Sequence, residues 1–323
     1  MTAVRPVVLD AMGGDHGPAE TVAGAVAAWR AHKVPVILVG DEARVTRELR
    51  RHGAAGELAV VHADDAVPMA ERGPAATALA TSSLAVGCEL VGRGHGGALV
   101  SAGSTGAVVS CAVRGIGRSG VLRPALAVAL PSLRGGASVL VDAGATADPS
   151  PAMMAEFAQL GAGYARAVLG RPDPVVGLLS IGSEPGKGNR LTRQAGELLA
   201  ALPLRFHGNV EGHDVLAGTV DVIVTDGFTG NVVLKNVEGC VRTALTMVAQ
   251  AGIASPRQLA KVARRYDPET HGGAALLGLR GTVVVAHGSS PAATIARACV
   301  VAYALAGPEP GTGIEATAAE RVT

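Results

Sequence analysis

The sequence predicts an α/β fold in which a mostly parallel sheet carries helices on both faces. Short apolar runs rich in β-branched residues, such as 36–39 and 220–224, alternate along the chain with segments of helical periodicity. In 151–168, for example, Met154, Phe157 and Leu160 recur at three-residue spacing. Alternation of this kind is typical of parallel sheets, because each crossover between parallel strands is usually made by a helix.

The predicted elements run through most of the chain. Strands are expected at 7–9, 36–41, 58–62, 98–101, 128–130, 138–141, 175–179, 204–207, 220–224 and 282–285. Helices are expected at 43–52, 70–93, 108–116, 151–168, 191–201 and 292–305. A further helix is expected to follow the loop 225–231 and to end at about 251. With no internal repeat and no clear linker, we predict a single α/β/α domain over 1–306, with a helical excursion at about 240–272 and a flexible tail over 307–323.

Composition and charge exclude several classes of protein. A net charge of +1 gives no electrostatic footprint for nucleic acid. No uncharged apolar stretch is long enough for a membrane span, and the N-terminus lacks the apolar region of a signal peptide. The sequence therefore predicts a soluble, cytoplasmic protein.

The four cysteines, Cys88, Cys111, Cys240 and Cys299, are scattered through apolar helical runs. No pair has the spacing of a metal or redox centre, and no His or carboxylate pairs stand at ligand spacing. We therefore expect all four cysteines to pack in the core, and we expect no metal and no cofactor.

Five predicted strands end in glycines mixed with small polar or charged residues. These strand ends lie at 10–18, 101–107, 142–146, 180–189 and 225–231. Ligands of open α/β sheets bind outside the carboxyl ends of the strands. We therefore expect the five loops to share one crevice.

The segment Thr225-Asp-Gly-Phe-Thr-Gly-Asn231 is the clearest of these loops, because a strand precedes it and a helix follows it. Thr229 stands where a helix N-cap belongs, and the glycines would let the backbone approach a ligand closely. Free N–H groups and the helix dipole would then favour an anion. The alternative is a tight turn in which Asp226 is simply a satisfied loop residue.

The motifs of several enzyme classes are missing. There is no GxGxxG after a strand, no Walker A sequence and no GxSxG nucleophile elbow. What the loops offer instead is backbone N–H groups, hydroxyls, Asn231, the histidines 16 and 287, and the lysines 187 and 235. That inventory suits a site that holds phosphate and acts by positioning and charge stabilisation, with no protein nucleophile.

Each of these residues also has a structural interpretation. Lys187 could be a solvated loop lysine, and the stem of Lys235 could simply lie along its helix. The two histidines could be turn residues. The strand-end aspartates 10, 142 and 226 could cap neighbouring helices, and Ser82-Ser83 indicates packing rather than chemistry.

Five motifs, in this order and over nearly the whole chain, resemble those of the PlsX family of phosphate acyltransferases. They are Asp10-Ala-Met-Gly-Gly-Asp-His16, Ser101-Ala-Gly-Ser-Thr-Gly-Ala107, Ile181-Gly-Ser-Glu-Pro-Gly-Lys-Gly188, Thr225-Asp-Gly-Phe-Thr-Gly-Asn231 and Ala286-His-Gly-Ser-Ser290. The resemblance implies transfer of a fatty acyl group from acyl carrier protein to inorganic phosphate, which gives acyl phosphate for phospholipid synthesis. It also implies a homodimer, weak peripheral membrane contact, and a three-layer α/β/α fold like the isocitrate/isopropylmalate dehydrogenases and the phosphotransacetylases.

The resemblance carries over to individual residues. It implies catalytic roles for Lys187, Asn231, Asp226 and His287, with Lys187 first in stabilising the phosphate or the tetrahedral intermediate. The amides after Gly230 would complete the phosphate cradle. Substrate-binding roles are implied for Asp10, Gly13, Gly14, Asp15, His16, Ser101, Gly103, Ser104, Thr105, Asp142, Glu184, Gly227, Thr229, Gly230 and Lys235.

The chain also departs from the family pattern. Ser104, Thr146 and Ser180 stand where the family usually has Asn, the stretch 74–81 lacks the usual Lys and Arg, and 270–275 differs from the usual Tyr-Gly-Gly-Ala-Pro. The helical excursion at about 240–272 is shortened relative to the family, whose members carry a membrane-contacting helical tip there. Two alternatives to the family reaction therefore stay open. One is a specialised paralogue that uses another acyl thioester or acceptor, and the other is a catalytically degenerate protein that binds acyl carrier protein.

Overall fold

The computed structural model describes residues 5–71, 73–266 and 273–307. Its described residues form two compact units, one within 1–124 and 271–323 and the other within 125–270. The single domain predicted over 1–306 stays a prediction. The predicted tail lies outside the described residues beyond Gly307, as do residues 267–272 at the end of the predicted excursion.

The described strands are, in chain order, β1 (Val7–Asp10), β2 (Val36–Gly40), β3 (Ala59–His62), β4 (Ala98–Ser101), β5 (Ala125–Pro131), β6 (Ala137–Val141), β7 (Val175–Leu179), β8 (Arg205–Val210), β9 (Val222–Val224), β10 (Ala274–Leu277) and β11 (Thr282–Val285). The described helices are α1 (Ala19–His32), α2 (Glu42–Arg51), α3 (Pro74–Ala78), α4 (Ser83–Gly92), α5 (Thr105–Gly115), α6 (Pro151–Leu169), α7 (Arg190–Ala200), α8 (Gly227–Gln250), α9 (Pro256–Tyr266) and α10 (Ala292–Ala306).

The sheet is mostly parallel in each unit, as predicted. In the first unit the strand order is β3-β2-β1-β4-β11-β10, and among these pairs only β10 and β11 are antiparallel. In the second unit the order is β5-β6-β9-β7-β8, with β5 antiparallel to β6. The carboxyl ends of β1, β4 and β11 therefore lie at one edge of the first unit, and those of β6, β7 and β9 at one edge of the second.

Helices cover both faces of the first unit's sheet. Successive strand residues point to opposite sides, so each strand packs against helices on both faces. Val7 and Leu9 pack in one core cluster with residues of α1 and α10. Val8 and Leu99 face α4 instead, where Gly87 lies so near that an added Cβ would stand 3.0 Å from Leu99. The central strands β1 and β4 are buried on both sides, which explains their continuous apolar sequence.

In the second unit, α6 packs closely on β6 and β9. Gly161 lies against Val141 and Val222, whose methyl groups would be 2.7–2.8 Å from an added Cβ. The side chains predicted to point inward from this helix (Met154, Phe157, Leu160 and Tyr164) are buried.

The prediction of one continuous helix over 70–93 is wrong. The structure has α3 and α4 there, separated by 79–82. The Ser82 hydroxyl accepts from the Ala85 amide and so caps the start of α4. The Thr81 hydroxyl donates to Asp65, 2.7 Å away, and the Ser83 amide donates to the Asp65 carbonyl. These bonds to another segment end the helical run that the alanine-rich sequence favours.

Three of the four cysteines are buried, as predicted, but Cys240 is exposed. It lies on α8, where no residue beyond Leu234 is fully buried. An apolar spacing pattern predicts a helix, but it does not show how much of that helix the rest of the chain covers. Among the described residues, no helix is long and apolar enough to cross a bilayer.

We expect one cysteine per chain to react with Ellman's reagent at pH 8. Burial raises the pKa of Cys111 to about 11 and of Cys299 to about 12, and it also raises that of Cys88. Well below these pKa values the three thiols stay protonated and unreactive, so exposed Cys240 should account for all the native signal. Cys240→Ser should abolish that signal, and unfolding the wild type should expose all four thiols. Fast reaction of a second thiol in the native protein would contradict the buried placement.

Candidate active site

In the first unit, the loops after β1, β4 and β11 come together at one edge of the sheet. The Asp15 amide donates to the Gly288 carbonyl at 2.8 Å, which joins the β1 and β11 loops. Gly14 has φ +89 and lies so close that an added Cβ would be 2.9 Å from the Gly288 oxygen and 3.0 Å from the Ala102 Cβ. Only glycine fits there, because both the backbone angle and the space exclude a side chain.

Asp10 lies at the centre of these loops and is 2% exposed. Its Oδ1 accepts from the Ser83 hydroxyl at 2.6 Å, and its Oδ2 accepts from the Ser101 hydroxyl at 2.7 Å. The amides of Met12 and Gly13 also donate to it. Burial raises the pKa of Asp10, and these hydrogen bonds oppose that effect by favouring the ionised form.

The β4 loop leads into α5 through a serine cap. The Ser104 hydroxyl accepts from the Ala107 amide and donates to the Glu71 carbonyl at 2.8 Å. The Thr105 hydroxyl and the amides of Thr105 and Gly106 have no hydrogen-bond partner among the described residues. This helix start therefore keeps donors that could bind an anion.

The remaining predicted residues of the first unit lie at the surface of the same loops. His16 and Asp15 are exposed on the β1 loop, and Gly103 donates its amide to the Ser101 hydroxyl. His287 is exposed on the β11 loop, where its Nδ1 lies 2.8 Å from the Ser289 hydroxyl. The structure thus brings every predicted site residue of the first unit to one sheet edge.

In the second unit, the loop 142–146 folds around the carboxylate of Asp142, which is fully buried. Its Oδ1 accepts from the amides of Leu126, Gly144 and Ala145 at 2.8–3.0 Å, and its Oδ2 accepts from Thr146 at 2.6 Å. Burial raises the pKa of Asp142 and the four amides oppose that rise. The side chain organises this loop and leaves no exposed oxygen for a ligand.

The start of α8 differs from the prediction. Asp226, rather than Thr229, is the N-cap, and its Oδ1 accepts from the Thr229 amide at 2.8 Å. The Gly227 amide donates to Thr146, and the Gly230 amide donates to the Asp226 carbonyl inside the helix. The cradle predicted from the amides after Gly230 is therefore wrong, because those amides lie within α8 and serve its backbone.

The glycines of this motif serve close packing. An added Cβ at Gly230 would lie 1.9 Å from the Asp142 carbonyl oxygen, and one at Gly227 would lie 2.5 Å from that of Thr146. The first turn of α8 therefore sits directly against the loop that Asp142 organises. The sequence predicts that these glycines let a ligand approach the backbone. The structure shows that they let helix α8 pack against the 142–146 loop.

Two predicted side chains of the second unit are free to meet a ligand. Lys187 is exposed on the loop after β7, and its ammonium group has no partner among the described residues. Asn231 is exposed on α8, beside Gly144, and its side-chain amide is likewise unpaired within the described chain.

Lys235 and Glu184 make contacts of their own. The Lys235 ammonium lies 2.9 Å from a carboxylate oxygen of Glu238. The Glu184 carbonyl accepts from the Asn209 side chain and from the Lys187 amide, so that residue helps to shape the loop that carries Lys187.

Sequence reasoning missed several partners of the site. Ser83, which the sequence assigns to packing, donates to Asp10 across 73 positions of chain. The Glu71 carbonyl accepts from Ser104, and the Leu126 amide donates to Asp142, so each makes a hydrogen bond to a loop far away in sequence. Two serines ahead of an apolar run do predict a helix cap, but nothing local indicates which carboxylate the second one reaches.

The chain matches a known protein family over most of its length. Residues 6–311 match the family described as "Fatty acid synthesis protein". The phosphate acyltransferase of Thermobifida fusca is 52% identical, over 94% of this chain and 90% of that protein, and that of Thermus thermophilus is 47% identical, over 93% and 94%. The chain belongs to the PlsX family of phosphate acyltransferases. The resemblance seen in the motifs is thereby confirmed.

Solved structures support the predicted fold. A phosphotransacetylase from Streptococcus pyogenes superposes with a TM-score of 0.67 at 18% identity, over 94% of each chain. A 4-hydroxythreonine-4-phosphate dehydrogenase from Klebsiella pneumoniae gives 0.55 at 14%, over 94% of this chain and all of that one. In the described part of the PlsX-family chain, no three His, Cys, Asp or Glu side chains form a metal-binding group.

We expect Gly230→Ala to destabilise the protein by about 3 kcal/mol or more, because the new methyl group would overlap the Asp142 carbonyl. Gly239 of the same helix is the matched control, since an added Cβ there meets nothing within 4 Å. Gly239→Ala should stabilise by about 0.5–1 kcal/mol through helix propensity. Urea unfolding of both variants measures these changes, and equal effects at the two positions would contradict the packing described here.

Proposed function

We propose that this protein transfers an acyl group from a thioester to inorganic phosphate and so forms acyl phosphate. Membership of the PlsX family supports the reaction. At the level of the site, the observation that carries it is the exposed Lys187, whose ammonium group has no partner among the described residues. A cation on a loop at the carboxyl end of β7, next to the β9 end from which α8 begins, suits an anionic reactant.

The chemistry needs no nucleophile from the protein. A phosphate oxygen attacks the thioester carbonyl carbon, a C–O bond forms, and the carbonyl oxygen becomes an oxyanion. The C–S bond then breaks, the carbonyl re-forms, and the sulfur leaves as a thiolate that takes a proton from solvent. Charge stabilisation of the phosphate and the oxyanion is the protein's main contribution.

Lys187 supplies that charge, and the Asn231 side chain donates a hydrogen bond beside Gly144. Thr105, His16 and His287 are polar groups of the first unit that remain available to substrate. That all five strand-end loops share one crevice stays a prediction.

The buried or capping residues act by holding the loops in place. Asp142 and Asp226 have their hydrogen bonds within the protein, and so does Asp10. We therefore assign them positioning roles, not direct contact with substrate.

The finer features of the proposal follow from the family resemblance. They are acyl carrier protein as the carrier of the acyl group, a homodimer, a place in phospholipid synthesis, a cytoplasmic location and weak peripheral membrane contact.

A second candidate is a specialised paralogue with another acyl thioester or acceptor, or a degenerate protein that binds acyl carrier protein. The observation in its favour is Ser180, where the family usually has Asn. Its buried hydroxyl has no hydrogen-bond partner within the described residues. An orphaned hydroxyl at the base of the loop that carries Lys187 indicates a site altered from the family pattern.

We expect the purified protein to consume acyl-acyl carrier protein only when phosphate is present, and hydroxylamine to trap the product as a hydroxamate. Lys187→Ala should lower kcat by about 10²–10³-fold, the usual effect of removing one stabiliser of an oxyanion. Lys261→Ala is the control, because that lysine is an exposed residue of α9 in the same unit. Its activity should stay within about twofold of the wild type.

The outcomes separate the candidates. Turnover that needs phosphate and is lost only in the Lys187 variant supports the proposed reaction. A folded wild-type protein that converts no acyl chain, short or long, contradicts it and favours the degenerate protein. Turnover with another acceptor favours the paralogue.

A further inference from the structure

Ser83 is a buried polar residue for which neither the sequence motifs nor the proposed chemistry accounts. It is the first residue of α4 and is 1% exposed. Its hydroxyl donates to Asp10 Oδ1 at 2.6 Å, and its amide donates to the Asp65 carbonyl at 2.9 Å. This hydrogen bond is important for stability, because without the Ser83 hydroxyl the buried Asp10 Oδ1 would lose a donor, which is costly.

The contact continues beyond Asp10 into the loop that precedes α5. The Ser101 hydroxyl donates to Asp10 Oδ2 at 2.7 Å and itself accepts from the Gly103 amide at 3.0 Å. Gly103 is followed by Ser104, the cap of α5. A continuous line of hydrogen bonds thus runs from Ser83 to the loop that ends at Thr105.

The same carboxylate also holds the loop after β1. The amides of Met12 and Gly13 donate to it, and an added Cβ at Gly13 would lie 2.6 Å from its Oδ2. Of the hydrogen bonds to Asp10, only that of Ser83 comes from outside the β1 and β4 ends, within the part of the chain that the structure describes. Ser83 therefore fixes Asp10 relative to helix α4.

We propose that Ser83 is a positioning residue, which holds the Asp10 carboxylate so that the 10–14 and 101–105 loops keep the geometry that binds substrate. This inference rests on the proposed function and deepens it. Ser83 touches no substrate. The 101–105 loop leads to the free hydroxyl and amides at the start of α5, which could bind an anion, so the effect of Ser83 is expected in the Michaelis constant for phosphate more than in the rate of the chemical step.

Ser82 provides a matched control. It is the adjacent serine and is fully buried, and its hydroxyl also makes one hydrogen bond, accepted from the Ala85 amide. It makes no described contact with Asp10. Ser82→Ala and Ser83→Ala each remove one buried hydroxyl from the start of α4, so both should lower the melting temperature. Only the second removes a donor from Asp10.

The first measurement is steady-state kinetics of both variants with acyl-acyl carrier protein and varied phosphate. Ser83→Ala should raise KM for phosphate about tenfold with kcat within about twofold, because losing an interaction that is equally strong in the ground state and the transition state raises KM and leaves kcat unchanged. Ser82→Ala should leave both constants within about twofold. Equal losses in the two variants would overturn the proposal, since they would show an effect of stability alone.

The second measurement does not depend on turnover. Hydrogen–deuterium exchange of the native proteins should show faster exchange of 10–17 and 101–105 in Ser83→Ala, with wild-type exchange of these segments in Ser82→Ala. Unchanged exchange in Ser83→Ala would overturn the positioning role even in an active enzyme. A wild type that turns over no substrate, together with faster loop exchange in Ser83→Ala, would overturn the proposed function but keep Ser83 as the residue that holds these loops.

Discussion

A buried carboxylate at the carboxyl end of a central strand is the constraint on which each unit's strand-end loops depend. Asp142 takes four backbone amides and fixes the course of 142–146. The first turn of α8 then packs directly on that loop, since Gly227 and Gly230 leave room for its carbonyl groups. Without an acceptor at this point, the buried Leu126 amide would be left unpaired, at a cost of about 1–3 kcal/mol, and three partly buried amides would lose their partner as well.

The first unit uses the same device with different donors. Asp10 is held by two serine hydroxyls as well as by amides, so it joins elements that are far apart in sequence. In both units the protein's own carboxylates consume many of the loop amides that a Gly-rich strand end would otherwise offer to an anion. In the second unit, recognition of phosphate is therefore left largely to side chains, with Lys187 and Asn231 the free candidates.

Much of this arrangement could be predicted from the sequence, because strands, helices and Gly-rich strand ends follow from local patterns. The apolar spacing of α6 even gave its buried face correctly. The break at 79–82 could not be predicted, since it depends on bonds to Asp65 from another part of the chain. The cap of α8 was misplaced by three residues because both Asp226 and Thr229 are good caps and only the observed backbone decides between them. The exposure of Cys240 depends on what covers α8, which local spacing cannot show.

The packing of Gly230 against Asp142 limits what the 225–231 motif can show about whether a related protein is still an enzyme. Asp226, Gly227 and Gly230 hold α8 in place whether or not the protein catalyses anything. Selection for folding alone would keep them, so a relative that had lost its reaction would still carry most of the 225–231 motif. Lys187 and the side chain of Asn231 are under no such structural demand among the described contacts, and they are the positions free to drift once catalysis is no longer selected.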